Sequence, residues 1–184
     1  ISLRDELAEL LRRLRITAIH VTHDQQEAFA IADRLAVMHE GRIIQTGDGE
    51  SLYRNPTHPF VASFLGRVNV LRRTQQSCSS NEIRLADLCL PCPDSLRDAT
   101  ELFVRPEDIT VSLDRKTGWA QARVHQRSFM GGRVQLTLGV EGQADMIAEV
   151  DRDHGAVAGS IVGIQINPLK LMPGTLPRPQ ETPG

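Results

Sequence analysis

The stretch "ITAIHVTHDQQEAFAIADR", residues 16–34, decides the fold class. Residues 16–22 are almost continuously apolar and rich in β-branched side chains, which is typical of a short strand buried on both faces of a parallel sheet. Asp24, followed three residues later by Glu27, resembles a capping pair at the start of a helix over about 25–33. A strand that leads directly into a helix predicts an α/β arrangement for this part of the chain.

The segments on either side fit the same arrangement. Leucines recur at helical spacing over residues 2–15, which predicts an amphipathic helix before the strand. The stretch "RLAVMHEGRIIQTGD", residues 34–48, predicts a hairpin that turns at Glu40-Gly41. Residues 48–66 contain two short helical patterns divided by prolines, which are best tolerated at the start of a helix.

From about residue 67 the sequence changes to short alternating segments separated by turn residues, which predicts a small antiparallel barrel or sandwich. The predicted fold class is therefore α/β followed by a small all-β domain. We expect domains at residues 1–66 and 67–172. The remainder, 173–184, has too little apolar content to pack, and we expect it to be a disordered tail.

Composition narrows the class of protein. The chain has 21 basic and 23 acidic residues among 184, so nothing in its charge calls for nucleic acid or an anionic membrane. No apolar run approaches the roughly 18 residues of a spanning helix. Its three cysteines, Cys78, Cys89 and Cys92, are too few for a disulfide framework, which favours a reducing cytoplasm. The sequence begins with Ile1 and not with Met, in the middle of a helical pattern, which suggests that the chain is a fragment of a longer protein.

His20 and His23 suggest two kinds of site, one that binds a metal ion and one that binds phosphate. A metal cluster of His20, His23, Asp24 and Glu27 would need one continuous helix, and the strand pattern over 16–22 argues against that helix. We therefore expect no metal site, and His20 is expected to be a packed or paired residue. His23 follows the predicted strand, at the edge where α/β sheets bind ligands such as phosphate. A histidine that only caps its own turn is equally compatible with the spacing.

A longer stretch of sequence decides between these two interpretations of His23, because it resembles a known family. Residues 16–71, "ITAIHVTHDQQEAFAIADRLAVMHEGRIIQTGDGESLYRNPTHPFVASFLGRVNVL", resemble the switch-histidine region of ABC-transporter ATPase subunits, within the importer group that serves ions, polyamines and sugars. The resemblance implies that His23 contacts the γ-phosphate of ATP held between two subunits, with Asp24 as the helix-start residue beside it. Residues 97–172, with "FVRPEDITV", resemble the accessory C-terminal TOBE domain of these importers, an oligonucleotide/oligosaccharide-binding (OB) type of barrel.

This resemblance carries expectations about the whole protein. It implies the C-terminal part of a P-loop nucleotide-binding domain, in a subunit that couples ATP hydrolysis to solute import with ATP and Mg²⁺ as cofactors. It implies a second copy of the subunit and transmembrane permease subunits as partners, a solute-binding protein as an indirect partner, and no nucleic acid. The β domain is expected to join two copies or to sense a regulator. The implied location is cytoplasmic, peripheral on the inner face of the membrane.

Two departures from the family pattern matter. The 184 residues contain no G-x-x-x-x-G-K-[ST] phosphate loop, no Ser-Gly-Gly-Gln signature and no strand ending in the Mg²⁺-binding Asp and catalytic Glu. We therefore expect this chain alone neither to bind ATP tightly nor to hydrolyse it, whereas the intact subunit does both. Arg15 stands where relatives usually have a glycine that ends the first helix, so it must adopt a left-handed conformation or shift the turn.

The sequence also contains a cysteine pair and a charged turn, and it is compatible with one alternative function. Cys89 and Cys92 form a C-x-x-C, which we interpret as a small buried or half-exposed pair and not as a redox or metal site. Arg105 and Glu107 are expected to pair across a turn. The alternative function is a stand-alone OB-like barrel that binds a ligand or regulator. Residues 16–47 argue against it, because their strand needs neighbours that a lone barrel does not explain.

Overall fold

The computed structural model describes residues 3–72, 82–85, 88–91, 93–114 and 116–174. The chain divides into two compact units, Ile1–Leu65 and Gly66–Gly184. Cys78 and Cys92 lie outside the described residues, as does the surrounding of the Cys89 side chain, so the prediction about the C-x-x-C stays a prediction. The predicted disordered tail also lies outside them, apart from its first two residues.

In the part of the first unit that the structure describes there are four helices and one hairpin. Its elements are α1 (Leu3–Leu14), α2 (Gln25–Ile31), β1 (Leu35–His39), β2 (Arg42–Gly47), α3 (Gly49–Arg54) and α4 (Pro59–Phe64). The sequence predicted α1, α2 and the hairpin to within about two residues at either end, and it predicted α3 and α4 as two short helices within residues 48–66. The helix α1 ends in a Schellman motif, in which the amide of Ile16 donates to the carbonyl of Leu11 at 3.4 Å. Arg15 occupies the left-handed position of this motif with φ 51°, the first of the two predicted alternatives.

The predicted strand over residues 16–22 is wrong for this structure. The segment has no strand pairing, and the side chains of Ile19 and Val21 are 94% and 90% exposed. The reason is the lack of neighbours, since β1 and β2, the strands that the structure describes in this unit, pair with each other. The helix α2 likewise has no fully buried residue, although the apolar residues Ala28, Phe29, Ile31 and Ala32 in and beside it have the spacing of a buried helical face.

The hairpin and the last two helices form the small core of the first unit. The turn between β1 and β2 has positive φ at Glu40 and Gly41, 49° and 76°, as a tight hairpin with right-handed twist requires. Pro59 occupies the first turn of α4, where its missing N–H costs nothing. The buried core side chains are Val37, Leu52, Val61 and Leu65.

The second unit is built from short antiparallel strands, as the alternating sequence predicted. The strands are β3 (Asn69–Arg72), β4 (Glu82–Leu85), β5 (Leu88–Pro91), β6 (Glu101–Val104), β7 (Ile109–Ser112), β8 (Ala120–Phe129), β9 (Arg133–Gly139), β10 (Met146–Asp151), β11 (Ile161–Ile166) and β12 (Met172–Pro173). Short 3₁₀ turns cover Asp94–Leu96, Pro106–Asp108 and Pro168–Lys170. The sequence analysis missed β10, although its buried residues, Met146, Ala148 and Val150, alternate in the expected way.

Five of these strands form a sheet that nearly closes into a barrel. Their order is β10-β9-β8-β11-β7, and the edge strands β10 and β7 also approach each other. The strands β12, β6 and β3 form a second, three-stranded sheet, and β4 pairs with β5. Alternate side chains of β8 to β11 point inward and build one apolar core, which is why the alternating pattern identified this unit.

Candidate functional site

The turn that precedes α2 presents His23 at the surface of the first unit. His23 is exposed, and Asp24 directly after it is the N-cap of α2. The Asp24 carboxylate accepts a hydrogen bond from the Glu27 amide at 3.0 Å, which confirms the predicted role of Asp24 as a helix-start residue. The imidazole of His23 makes no hydrogen bond or ion pair with any other described residue, and the residue is exposed.

The hydroxyl of Thr22 lies at the centre of this turn. It donates to the Oε2 atom of Glu27 and accepts from the Asp24 amide at 3.0 Å. The hydroxyl oxygen of Thr22 therefore links the residue before His23 to Asp24, the residue after it. The sequence analysis did not single out Thr22. The signal was present, because a threonine two residues before an N-cap often accepts from the backbone amide at i+2.

Glu27 also lies close to His20. Its Oε2 atom is 3.4 Å from the Nε2 atom of His20, so His20 is a paired residue, one of the two predicted alternatives. The hydrogen bond from Thr22 and then the one from His20 lower the pKa of Glu27 from its ordinary value of 4.5. Glu27 is accordingly a carboxylate over most of the pH range, an acceptor of hydrogen bonds and not a donor.

The four residues considered for a metal cluster are thus divided. His20 and Glu27 meet each other through side-chain atoms, Asp24 is engaged in the cap, and His23 stands apart from them. Among the residues that the structure describes, no group of three or more histidine, cysteine, aspartate or glutamate side chains could hold a metal ion.

Helix α2 is fixed against the other helices of its unit. The Gln25 side-chain amide donates to the carbonyl of Phe64 in α4. The rings of Phe29 and Tyr53 meet edge to face with centroids 6.3 Å apart, and Phe29 also covers Gly49, where a Cβ atom would lie 2.7 Å from its ring. These contacts hold the start of α2 in place, and with it the turn that carries His23.

Arg105, which was expected to pair with Glu107 across a turn, has a structural role. Arg105 is 2% exposed, and its guanidinium donates to the carbonyl of Arg67 at 3.3 Å. This arginine is held inside the second unit and is not presented to solvent. None of the helices in the described part of the chain has the length and apolar character needed to cross a membrane.

Comparison with known proteins finds a domain family within the second unit and similarity of most of the chain to a group of transport proteins. The TOBE domain family matches residues 102–172. The sulfate/thiosulfate import ATP-binding protein CysA 2 of Chromobacterium violaceum is 39% identical over 92% of this chain and 48% of its own length. The Fe(3+) ions import ATP-binding protein FbpC of Photorhabdus laumondii is 34% identical, over 77% of this chain and 40% of its own length.

The CysA protein of Xylella fastidiosa strain 9a5c, with the same sulfate/thiosulfate description, is 40% identical over 74% of this chain and 38% of its own length. The chain therefore spans less than half the length of the curated relatives it matches. A structure of the cytoplasmic molybdate-binding protein ModG covers 57% of this chain with a TM-score of 0.42 at 15% identity, a likeness too weak to support an argument.

Proposed function

We propose, from the premise that this chain is related to the ATP-binding subunits of ABC importers and contains a TOBE domain, that it forms the C-terminal part of such a subunit. That subunit couples the hydrolysis of ATP to the import of a solute. The identity to one relative covers 92% of the chain, whereas the TOBE match begins at residue 102. A stand-alone barrel explains only the second of these matches and is therefore not favoured.

The proposal assigns the two units different roles. Residues 1–66 belong to the nucleotide-binding domain, and residues 67–172 are the accessory β domain. We propose that residues 1–66 are part of an α/β domain in the complete subunit. The exposed side chains of Ile19 and Val21 suit a strand whose neighbours lie in the rest of the subunit. The β domain joins two copies of the subunit or senses a regulator.

His23 is the residue that contacts the terminal phosphate of ATP. The observation that carries this role is an exposed imidazole whose neighbours on both sides, Thr22 and Asp24, are fixed by hydrogen bonds. A neutral imidazole offers one donor and one acceptor, so it can donate to a phosphate oxygen while its other nitrogen accepts from water or a facing backbone amide. In the complete subunit, ATP would be the source of the phosphoryl group, and Mg²⁺ would supply charge neutralisation at its phosphates.

His23 alone cannot carry out this chemistry. Phosphoryl transfer depends on positioning and on charge stabilisation by a phosphate loop, a lysine and Mg²⁺ ligands. Residues 1–184 contain no phosphate-loop sequence. We therefore propose that the chain by itself binds ATP weakly and does not hydrolyse it, and that the activity belongs to the complete subunit.

The partners follow from the same assignment. The relatives are the ATP-binding subunits of import systems, which work with membrane permeases. We propose a second copy of the subunit and the permease as direct partners, and a solute-binding protein as an indirect one. The subunit then lies in the cytoplasm, peripheral on the inner face of the membrane.

A chimaeric subunit tests the role of His23. Residues 1–184 replace the matching half of the Chromobacterium violaceum relative, and steady-state ATP hydrolysis and ATP affinity are measured. The His23→Ala variant should lower turnover by roughly 10²-fold or more, because a donor to the transition state is lost. Its ATP affinity should change little, since the phosphate loop supplies most of the binding.

The matched control is His125→Ala, which removes another half-exposed histidine from the second unit. It should leave turnover within about twofold of the parent chimaera, in line with an exposed substitution in the unit that does not carry His23. An undiminished rate in His23→Ala contradicts the assignment. Appreciable Mg²⁺-dependent hydrolysis by residues 1–184 alone contradicts the proposal that activity needs the complete subunit.

A further inference from the structure

Three hydrogen bonds around His23 form a closed ring that His23 itself does not join. The Thr22 hydroxyl donates to Glu27, the Asp24 amide donates to Thr22 at 3.0 Å, and the Glu27 amide donates to Asp24 at 3.0 Å. We propose that Glu27 is a positioning residue for His23, acting through Thr22. The inference rests on the proposed function of His23.

The ring fixes the backbone on both sides of the exposed imidazole. Thr22 is held from the side chain of Glu27, and Asp24 is held from the Glu27 amide and from Thr22. The hydrogen bonds therefore restrict the turn on which the His23 side chain stands. A side chain that must meet one phosphate oxygen gains from this, because misplacement by about 1 Å can cost a large factor in rate.

The negative charge of Glu27 determines which group donates and which accepts in the ring of hydrogen bonds. A carboxylate can only accept, so the Thr22 hydroxyl must donate its proton to it, which leaves a lone pair of that oxygen free for the Asp24 amide. His20, with its Nε2 atom 3.4 Å from the same Oε2 atom, holds the carboxylate from a second side. Glu27 therefore links the chain before His23 to the helix after it.

Variants at Glu27 and Thr22 separate this role from a general effect on folding. Alanine is a good helix former, so Glu27→Ala removes the side-chain acceptor while α2 is retained. Glu27→Gln keeps an oxygen that can accept from Thr22, and Thr22→Ser keeps the hydroxyl. Thr22→Val removes the hydroxyl and keeps the shape of the side chain. The ring should survive in the two conservative variants and open in the other two.

The first measurement uses the chain as it is, without nucleotide. Amide hydrogen exchange is followed at Asp24, whose N–H donates to Thr22. Glu27→Ala and Thr22→Val should each accelerate this exchange at least roughly tenfold, because the amide loses its ordered acceptor. Glu27→Gln, Thr22→Ser and His23→Ala should leave it nearly unchanged. The control is Glu50→Ala, which removes the carboxylate of an exposed i,i+4 pair with Arg54 and should also leave it unchanged.

The second measurement uses the chimaeric subunit. Glu27→Ala should lower kcat roughly tenfold with little change in KM for ATP, as expected when a group in the transition state is misplaced. In the His23→Ala background the same substitution should have almost no further effect, because the two residues act as one unit. The single variants Glu27→Gln and Thr22→Ser should retain most of the parent rate.

The outcomes distinguish the two proposals. A full rate in His23→Ala overturns the proposed function of His23. A slow His23→Ala variant beside a Glu27→Ala variant with unchanged kcat overturns only the role of Glu27. Unchanged Asp24 exchange in both Glu27→Ala and Thr22→Val also overturns that role, since it shows that the ring does not order the turn.

Discussion

The side chain of Asn69 makes both backbone hydrogen bonds that a neighbouring strand would make to Ile147. Its Oδ1 atom accepts from the Ile147 amide at 2.6 Å, and its Nδ2 atom donates to the Ile147 carbonyl at 2.8 Å. Asn69 is 6% exposed, in β3, and Ile147 lies in the edge strand β10. One buried carboxamide thus joins the three-stranded sheet to the open edge of the five-stranded sheet.

Asn69→Ala should lower the free energy of unfolding of the second unit by about 2–3 kcal/mol, because the amide and carbonyl of Ile147 lose their partner where water cannot replace it fully. Urea denaturation followed by the fluorescence of Trp119 measures this. Trp119 is the chain's single tryptophan and lies in the second unit, so its signal reports that unit alone.

Gln143 supplies a matched control. Its carboxamide makes the same double contact with the backbone of Arg72, accepting at 2.9 Å and donating at 3.1 Å, but at an exposed place. Gln143→Ala should cost about 0.5–1 kcal/mol at most, because water replaces the lost bonds. Equal losses in both variants would show that burial is not what makes Asn69 important.

Arg15→Gly should stabilise the first unit by about 0.5–1 kcal/mol. Arg15 has φ 51°, a left-handed conformation that costs a residue with a Cβ atom more than it costs glycine. Part of the gain is lost to the greater freedom of glycine in the unfolded chain. Exchange of the Ile16 amide, which donates to the Leu11 carbonyl, measures the stability of the helix end.

The comparison for this prediction is Arg15→Ala, which removes the charged side chain but keeps the Cβ atom. It should bring no gain. If alanine slows the exchange of the Ile16 amide as much as glycine does, the benefit comes from removing the guanidinium, and the argument from backbone conformation is wrong.

Gly139→Ala should displace the ring of His125. A Cβ atom at Gly139 would lie 2.3 Å from that ring, which itself lies 3.2 Å from the Asp145 carboxylate. Because the ring is half exposed and can move, the cost in stability should be about 1 kcal/mol. The NMR signals of the His125 ring should report loss of the Asp145 contact. Gly132→Ala, where nothing lies within 4 Å of the added Cβ, should change neither quantity.

Acidification should loosen the turn around His23. Thr22 and His20 lower the pKa of Glu27 below its ordinary value of 4.5 in the folded chain. Their stabilising effect is therefore complete above pH 4.5 and is lost as the pH falls through the lower, folded value. The chemical shifts of residues 22–24, followed by NMR from pH 6 downward, should change together with those of Glu27.

The Glu27→Gln variant is the control for this pH dependence, since its amide does not titrate. At Thr22, the part of the shift change that follows the titration of Glu27 should then be absent. A transition of equal size in this variant would assign the loosening to another group, such as Asp48, whose pKa is lowered by hydrogen bonds from Ser51.

Local chemistry explains which elements could be predicted. Asp24 caps α2 with its own side chain, Pro59 starts α4, and Glu40-Gly41 turns the hairpin, all through contacts within a few residues. The alternation of apolar residues predicted the antiparallel second unit for the same reason, because the period of a strand is written in consecutive positions. The strand β10 was missed because Ala148 makes its apolar pattern weak.

The sequence by itself determined the caps, the turns, the approximate spans of α1 and α2 and the alternating strands of the second unit, since each depends on nearby residues. The tertiary structure alone decided two other matters. It left residues 16–22 without strand pairing and residues 16–21 exposed, because a buried strand exists only where other strands receive it. It also joined Asn69 to Ile147 across 78 positions, a contact that depends on how two sheets meet and that no local pattern encodes.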